Sequence, residues 1–197
     1  MIADGKRGDI PVTAAAYAQA LFGSTSTPWG EVGGLGVDAA TLNPLLGTDA
    51  LEPLIAAASD HAAGIFVLVR TSNPGAAELF DLPSPDLPLH ERLADLVAAG
   101  APRLAGASGL SGFGAVVGAT EPGHLGRLRE LMPDSIFLVP GVGVQGGRPE
   151  DLAAAFGAHP ASAVITASRS IAGAADPAAA AEQLRATVYS VSQAAAR

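Results

Sequence analysis

The sequence predicts an α/β fold built on a parallel sheet that is buried on both sides. Two observations carry this. Short runs rich in Val, Ile and Phe alternate along the chain with segments of helical spacing. The runs are also continuously apolar rather than alternating, as strands covered on both faces are. With 197 residues, 49% hydrophobic and 15% charged, the chain suffices for one globular domain with a sizeable core. Nothing marks a second unit, so residues 1–197 are read as a single domain.

The elements follow in order. Residues 1–3 are apolar and read as the tail of a strand, leading into DGKRGDI at 4–10. Residues 14–21 are Ala-rich and helical in character. Residues 23–36 form a Gly/Ser/Thr-rich linker that holds the only tryptophan, Trp29. A strand at 37–42 precedes a helix at 48–58, which opens with a polar cap and carries Pro53 in its first turns. A strand at 65–69 ends in TSNPG, and 81–88 is a proline-rich linker. Leu89, Leu93, Leu96 and Val97 give 87–99 a helical stripe. After a Gly/Ala/Ser-rich linker at 100–112, strands at 113–117, 136–139 and 163–166 alternate with helices at 124–131, 150–156 and 178–191. Long linkers of this kind often serve as lids over functional sites. Six strand–helix units result. They fit an open sheet, or a barrel whose first two units are missing, since a closed (β/α)8 barrel needs eight.

Composition excludes several classes. The chain has no cysteine, hence no disulfide, thiolate nucleophile or Cys-based zinc site. A net charge of −8 without a basic cluster argues against nucleic acid and anionic membrane surfaces. No signal peptide and no membrane span are expected, which makes a cytoplasmic protein the default. His61, His90, His124 and His159 are scattered without metal-ligand spacing and read as structural or surface residues, so no metal is expected. The Gly-x-Ser-x-Gly elbow and the P-loop are both absent.

Four motifs carry chemistry. In DGKRGDI, Asp4 and Lys6 are two apart and share a face if extended, which sets a carboxylate beside an ammonium. Asp9 follows at the strand-to-helix junction; the plainer reading is a surface ion pair with Asp9 as a cap. In TSNPG, Ser72 and Asn73 are placed to bond a heterocycle or sugar, or simply to start a helix. GVGVQGGRPED (141–151) follows a strand with glycines that allow a sharp bend and exposed N–H groups, as a phosphate cradle requires. It is a poor dinucleotide fingerprint. Pro149 delays the helix, and the acidic residue expected about twenty positions on is replaced by ASRSI at 167–171. There Arg169, flanked by Ser168 and Ser170 after the last strand, suits a phosphate. The Gly loop and Arg169 follow the last two strands, where (β/α)8 barrels commonly bind phosphate.

The run DGKRGDIPVTAAAYA resembles the signature of orotidine 5′-phosphate decarboxylases. DAATLNPLLGTDALEPL, GIFVLVRTSNPGA, GAVVGATEP, FLVPGVGVQGG and SRSI follow in the family's order. The segments look most like the bacterial subfamily carrying KRGDI, TSNP and GVGxQGG. The resemblance implies a (β/α)8 barrel acting as a homodimer, without metal or cofactor, that converts orotidine 5′-monophosphate to UMP and CO2 in pyrimidine synthesis. It implies that Lys6 protonates C6 of the pyrimidine as CO2 leaves, with Asp4 beside it. Asp9 would reach the neighbouring subunit's site, which Ile10 and Thr13 line. Ser72 would contact the pyrimidine, and Ala119 and Thr120 would approach it. Gln145, the Gly146–Gly147 backbone and Arg169 would hold the phosphate.

The family pattern places two strand–helix units before the Asp-x-Lys strand, and these supply a ribose-binding aspartate and a second lysine. Here the motif starts at residue 4. The expectation is therefore an incomplete barrel of six units lacking the first two, from a misplaced start or a truncated gene. Two rivals follow: a non-catalytic remnant that only binds nucleotide phosphate, and a phosphosugar isomerase-like barrel. Lys6 between two aspartates speaks against the isomerase, whose base is a carboxylate or neutral amine.

Overall fold

The computed structural model describes residues 1–195. All six expected strands form and pair in parallel: β1 (Ile2–Arg7), β4 (Ala39–Leu42), β5 (Gly64–Arg70), β6 (Ser111–Val117), β7 (Ser135–Val139) and β8 (Ala163–Ile165), in that spatial order. The remaining two strands, β2 (Ser24–Thr27) and β3 (Gly30–Gly33), make a separate antiparallel hairpin. Six strands in sequence order with helical crossovers are an incomplete (β/α)8 barrel. Among the described residues β1 and β8 each pair on one side only, which leaves the sheet two open edges.

The period-2 geometry of a strand divides the apolar side chains between two faces. Ile65, Val67, Val69, Phe113, Ala115, Val117, Phe137 and Val139 face the helices and form the main core with Leu51, Leu54, Leu93, Val97, Leu125 and Leu128. Ala39, Phe66, Val116 and Leu138 lie on the opposite, concave face with Leu68 and Ile136. This two-sided burial explains why the strands read as unbroken apolar runs. The sheet is curled, because Asp4 from β1 and Thr166 just past β8 line one cavity although their strands lie at opposite edges.

The helices are α1 (Pro11–Leu21), α2 (Thr48–Asp60), α3 (Ala76–Phe80), α4 (Leu89–Gly100), α5 (Pro122–Leu131), α6 (Ala153–Phe156), α7 (Arg169–Ala172) and α8 (Pro177–Ala195). Proline opens α1, α5 and α8, where its missing N–H has no helical partner to lose. α3 and α7 are single-turn helices at loop starts, too short to show a period in sequence. The helix expected at 150–156 is broken: a 3-10 turn at Pro149–Asp151 precedes α6, with Leu152 non-helical between them. Among the described residues, no helix is long and apolar enough to cross a membrane.

The linker at 23–36 is where the sequence reading missed structure. Its hairpin strands are Ser/Thr/Gly-rich and exposed, and the Glu31 carboxylate accepts from the Ser24 and Ser26 hydroxyls across the pair. The hairpin connects the end of α1 to the start of β4. It therefore lies at the N-terminal end of the parallel strands, opposite the loops that carry the motifs. Trp29 at its tip is 93% exposed, and it is no lid over those loops. As the only tryptophan, it makes a clean reporter. Its emission should be that of a hydrated indole and should not change on adding nucleotide. Trp29→Ala should shift stability by no more than about 0.5 kcal/mol, measured by urea unfolding followed by circular dichroism.

Candidate active site at the carboxyl ends of the strands

The DGKRGDI motif occupies the end of β1. Lys6 Nζ lies 2.6 Å from Asp4 Oδ1, so the expected acid–base pair forms. It does not form on a regular strand. The β1–β4 register shifts between Ala3 and Arg7, and Lys6 has φ 49, in the left-handed region that disfavours a side chain. Thr41, on β4, meets both residues. Its Oγ1 accepts from the Lys6 N–H at 2.9 Å and donates to Asp4 Oδ1 at 2.9 Å. The hydrogen bond from Lys6, with a further one from Thr41, holds the Asp4 carboxyl below its usual range against the opposing effect of partial burial. Among the described residues, Asp9 accepts only the adjacent Ile10 N–H, at 2.7 Å, and no side chain caps α1. Ile10 is exposed at the head of α1, and Thr13 is half-buried in its first turn.

The loops after β5, β6 and β7 converge around Ser72. Its hydroxyl donates to Gln145 Oε1 at 2.9 Å, and the Thr120 hydroxyl donates to the Ser72 carbonyl at 3.2 Å. A Cβ at Gly118 would stand 2.8 Å from Ser72 Cα, and one at Gly141 2.8 Å from Ser72 Cβ. Only glycine lets these strand ends approach Ser72 so closely. A cavity of about 320 Å3 opens here, lined by Arg70, Ser72, Asn73, Thr120, Glu121 and Gln145. Ala119 is fully buried and packs under Gly147 rather than opening into this space.

A second cavity of about 200 Å3 is lined by Asp4, Gln145, Ser168, Arg169 and Ser170 among others. It brings the two ends of the sequence pattern together. Arg169 is exposed at the start of α7 and makes no ion pair among the described residues. The Gly loop between them is closed on itself: Gly146 donates its N–H to the Gly143 carbonyl and Gly147 donates to Gly141. These two amides can hold an anion only after exchanging those bonds. Among the described residues, no group of three or more His, Asp or Glu is placed to hold a metal.

Two features escaped the sequence reading. Thr41 is one; the other is an ion-pair cluster behind Ser72. Arg70, buried at the end of β5, donates from Nε and Nη2 to the two oxygens of Asp81, each at 3.0 Å. His90 Nδ1 lies 2.8 Å from the Phe80 carbonyl, which fixes the proton on that nitrogen, and 3.1 Å from Asp81 Oδ1. The His124 ring sits edge-on to His90 at 4.7 Å. The Arg70 hydrogen bonds lower the Asp81 pKa, and burial lowers that of His124. Both groups bind protons more readily in the unfolded chain, so stability must rise with pH through each window. It should fall as pH drops below about 6.5, as His124 takes up its proton on unfolding, and again below about 3.8 through Asp81. Urea midpoints across pH check this, and His124→Gln should remove the upper window alone.

Comparison with known proteins gives the chain its relatives. A family model described as "Orotidine 5'-phosphate decarboxylase / HUMPS family" matches residues 1–184. The orotidine 5′-phosphate decarboxylase of Rhodopirellula baltica is 47% identical over 174 residues, covering 87% of this chain and 56% of that protein. The protein of the same name from Deinococcus radiodurans is 43% identical over 176 residues, covering 87% and 58%. Among solved structures, Leishmania donovani OMP decarboxylase aligns with TM-score 0.75 at 34% identity, over 97% of this chain and 68% of that one. Leishmania donovani UMP synthase aligns with TM-score 0.76 at 36% identity, over 97% and 39%. The chain spans little more than half the length of these curated relatives.

Proposed function

The chain belongs to the orotidine 5′-phosphate decarboxylase / HUMPS family, and from that premise we propose that it carries the decarboxylating half of a cytoplasmic, homodimeric enzyme converting orotidine 5′-monophosphate to UMP and CO2. The observation that supports this most is the Lys6–Asp4 pair, 2.6 Å apart, with Asp4 lining the cavity that also holds Gln145 and Arg169.

In this reading Gln145 and Arg169 anchor the phosphate, and the Gly146–Gly147 segment joins them once its internal bonds open. Ser72 and Thr120 bound the pyrimidine pocket. The C6–carboxylate bond breaks heterolytically, CO2 leaves, and the electron pair stays on C6. That carbanion is poorly delocalised, so charge already in place must lower the barrier. Lys6 supplies it, then gives a proton from Nζ to C6 and recovers one from water. Asp4, kept ionised, holds the ammonium in place and crowds the substrate carboxylate. Asp9, Ile10 and Thr13 face the partner subunit. The chemistry asks for no cofactor, because one ammonium serves as both electrostatic stabiliser and acid.

The test follows the ultraviolet loss of orotidine 5′-monophosphate with this chain and with a form extended to the length of its relatives, alongside equilibrium binding of UMP. Turnover that vanishes in Lys6→Ala is the expected result. UMP binding without turnover in either form would overturn decarboxylation and leave a nucleotide-binding remnant.

A further inference from the structure

The irregularity in β1 has a structural counterpart on β4. At the register shift the Lys6 N–H has left the regular backbone ladder, and the acceptor it finds is a side chain, Thr41 Oγ1 at 2.9 Å. An N–H can only donate, so the Thr41 oxygen accepts there. The Thr41 proton is then directed to its other neighbour, Asp4 Oδ1, at 2.9 Å. Lys6 Nζ donates to that same oxygen at 2.6 Å. Both bonds fall on Oδ1, and among the described residues Oδ2 has no protein partner. Thr41 is itself only 1% exposed, so its hydroxyl cannot turn to water without leaving these groups unsatisfied.

We propose that Thr41 is a positioning residue for this site: its single buried hydroxyl clamps the Lys6 backbone in the left-handed conformation and the Asp4 carboxylate in one orientation, with Oδ2 left for the ligand. The clamp fixes two charged groups from outside the motif that contains them. Its catalytic meaning rests on the decarboxylase reading above; the clamp itself does not. The charged groups about Asp4 are Lys6 on its own strand and Arg169 across the cavity, and the clamp sets how Asp4 faces both.

Amide hydrogen exchange and a carboxyl titration by nuclear magnetic resonance on the full chain test this without nucleotide. In the native chain the Lys6 amide should be protected. Thr41→Val, close in shape but lacking the hydroxyl, should speed Lys6 exchange about tenfold and move the Asp4 midpoint upward. Thr41→Ser should restore both. The Asn43 amide, which donates to the Arg7 carbonyl at 2.8 Å, is the control for β1–β4 pairing and should keep its protection in all three. Unchanged Lys6 exchange and Asp4 midpoint in Thr41→Val would overturn the proposal. So would parallel loss of protection at Asn43, since Thr41 would then merely hold the strands together. If Thr41→Val does not fold, the native chain still decides: a Lys6 amide that exchanges like an exposed one overturns the clamp. No readout involves turnover, so a failed clamp and a failed decarboxylase reading are told apart.

Discussion

Replacing Arg129 with methionine should cost about 2–4 kcal/mol, on the order expected for leaving buried carbonyls without their donor. Arg129 lies in α5 and is only 7% exposed. Among the described residues it has no carboxylate partner; its fork is filled by backbone carbonyls instead. Nε and Nη2 donate to Ala155 O at 3.1 and 2.6 Å, Nη2 also to Ser162 O at 3.0 Å, and Nη1 to Met132 O at 2.9 Å and Ser135 O at 2.7 Å. The guanidinium carbon sits 3.7 Å from the centroid of the Phe137 ring. One side chain thus ties α5, α6, the start of β7 and the approach to β8. Burial lowers its pKa to about 10, with Asp134 opposing, so it stays charged at neutral pH. Methionine fills much of the volume but donates to none of these carbonyls. Ser162 O keeps the Phe137 N–H at 2.8 Å and Met132 O the Ser135 N–H at 3.4 Å, while Ala155 O and Ser135 O lose their side-chain donor, at about 1–3 kcal/mol for a carbonyl left buried and unpaired. Lysine has three donors on a point charge where arginine has a planar fork, so Arg129→Lys should fall between. Urea unfolding of the three chains measures this. A methionine variant within about 1 kcal/mol of the parent would mean that the carbonyls find water or other donors.

Arg129 also shows what was legible in the sequence and what was not. The fold class was legible because apolar runs and helical stripes follow directly from two-sided burial, and all six strands formed where those runs lie. Arg129 itself was overlooked, although a signal existed. Leu125, Leu128, Arg129 and Met132 have the i, i+3, i+4, i+7 spacing of one helix face, and all four are buried. An arginine on that face needs buried acceptors. Apart from Met132, at the end of the same helix, their identity was beyond reach, since they are carbonyls of three other segments. The hairpin at 24–33 was illegible for the opposite reason. Its Ser, Thr and Gly residues carry no apolar pattern, and beside its backbone ladder its ties are hydroxyl bonds to Glu31. At the candidate site, Asp4 and Lys6 were readable from their spacing, because neighbours in sequence stay neighbours in space. Thr41 and the Arg70–Asp81 pair join segments 37 and 11 residues apart, and only the folded sheet brings them together.

Lys6→Gly should raise the stability of the fold relative to Lys6→Ala, while on the proposed mechanism both variants lose decarboxylation. Lys6 has φ 49, a conformation that costs a residue with a Cβ about 1–2 kcal/mol and that glycine adopts freely. Both variants lose the Lys6–Asp4 ion pair. Both of its side chains are largely exposed, so that loss is worth little to stability. The difference between the two variants therefore isolates the backbone, and glycine should be favoured by about 1 kcal/mol. Turnover should respond differently. On the proposed mechanism, removing the ammonium takes away the general acid, worth about 10²–10⁴-fold, and a preorganised charge worth about 10²–10³-fold. A combined loss of at least about 10⁴-fold is expected in both. Lys6→Arg keeps a positive charge but holds its proton too firmly to give it up, so it should recover little of that loss. Urea midpoints beside initial rates, in whichever form turns over, settle the two halves separately. An alanine variant as stable as the glycine variant would show that Lys6 is unstrained in solution. An active arginine variant would show that charge alone, rather than proton delivery, is what Lys6 contributes. Strain kept at a residue that adds nothing to stability is the expected mark of a position held for chemistry, and the glycine–alanine comparison asks whether Lys6 is such a position.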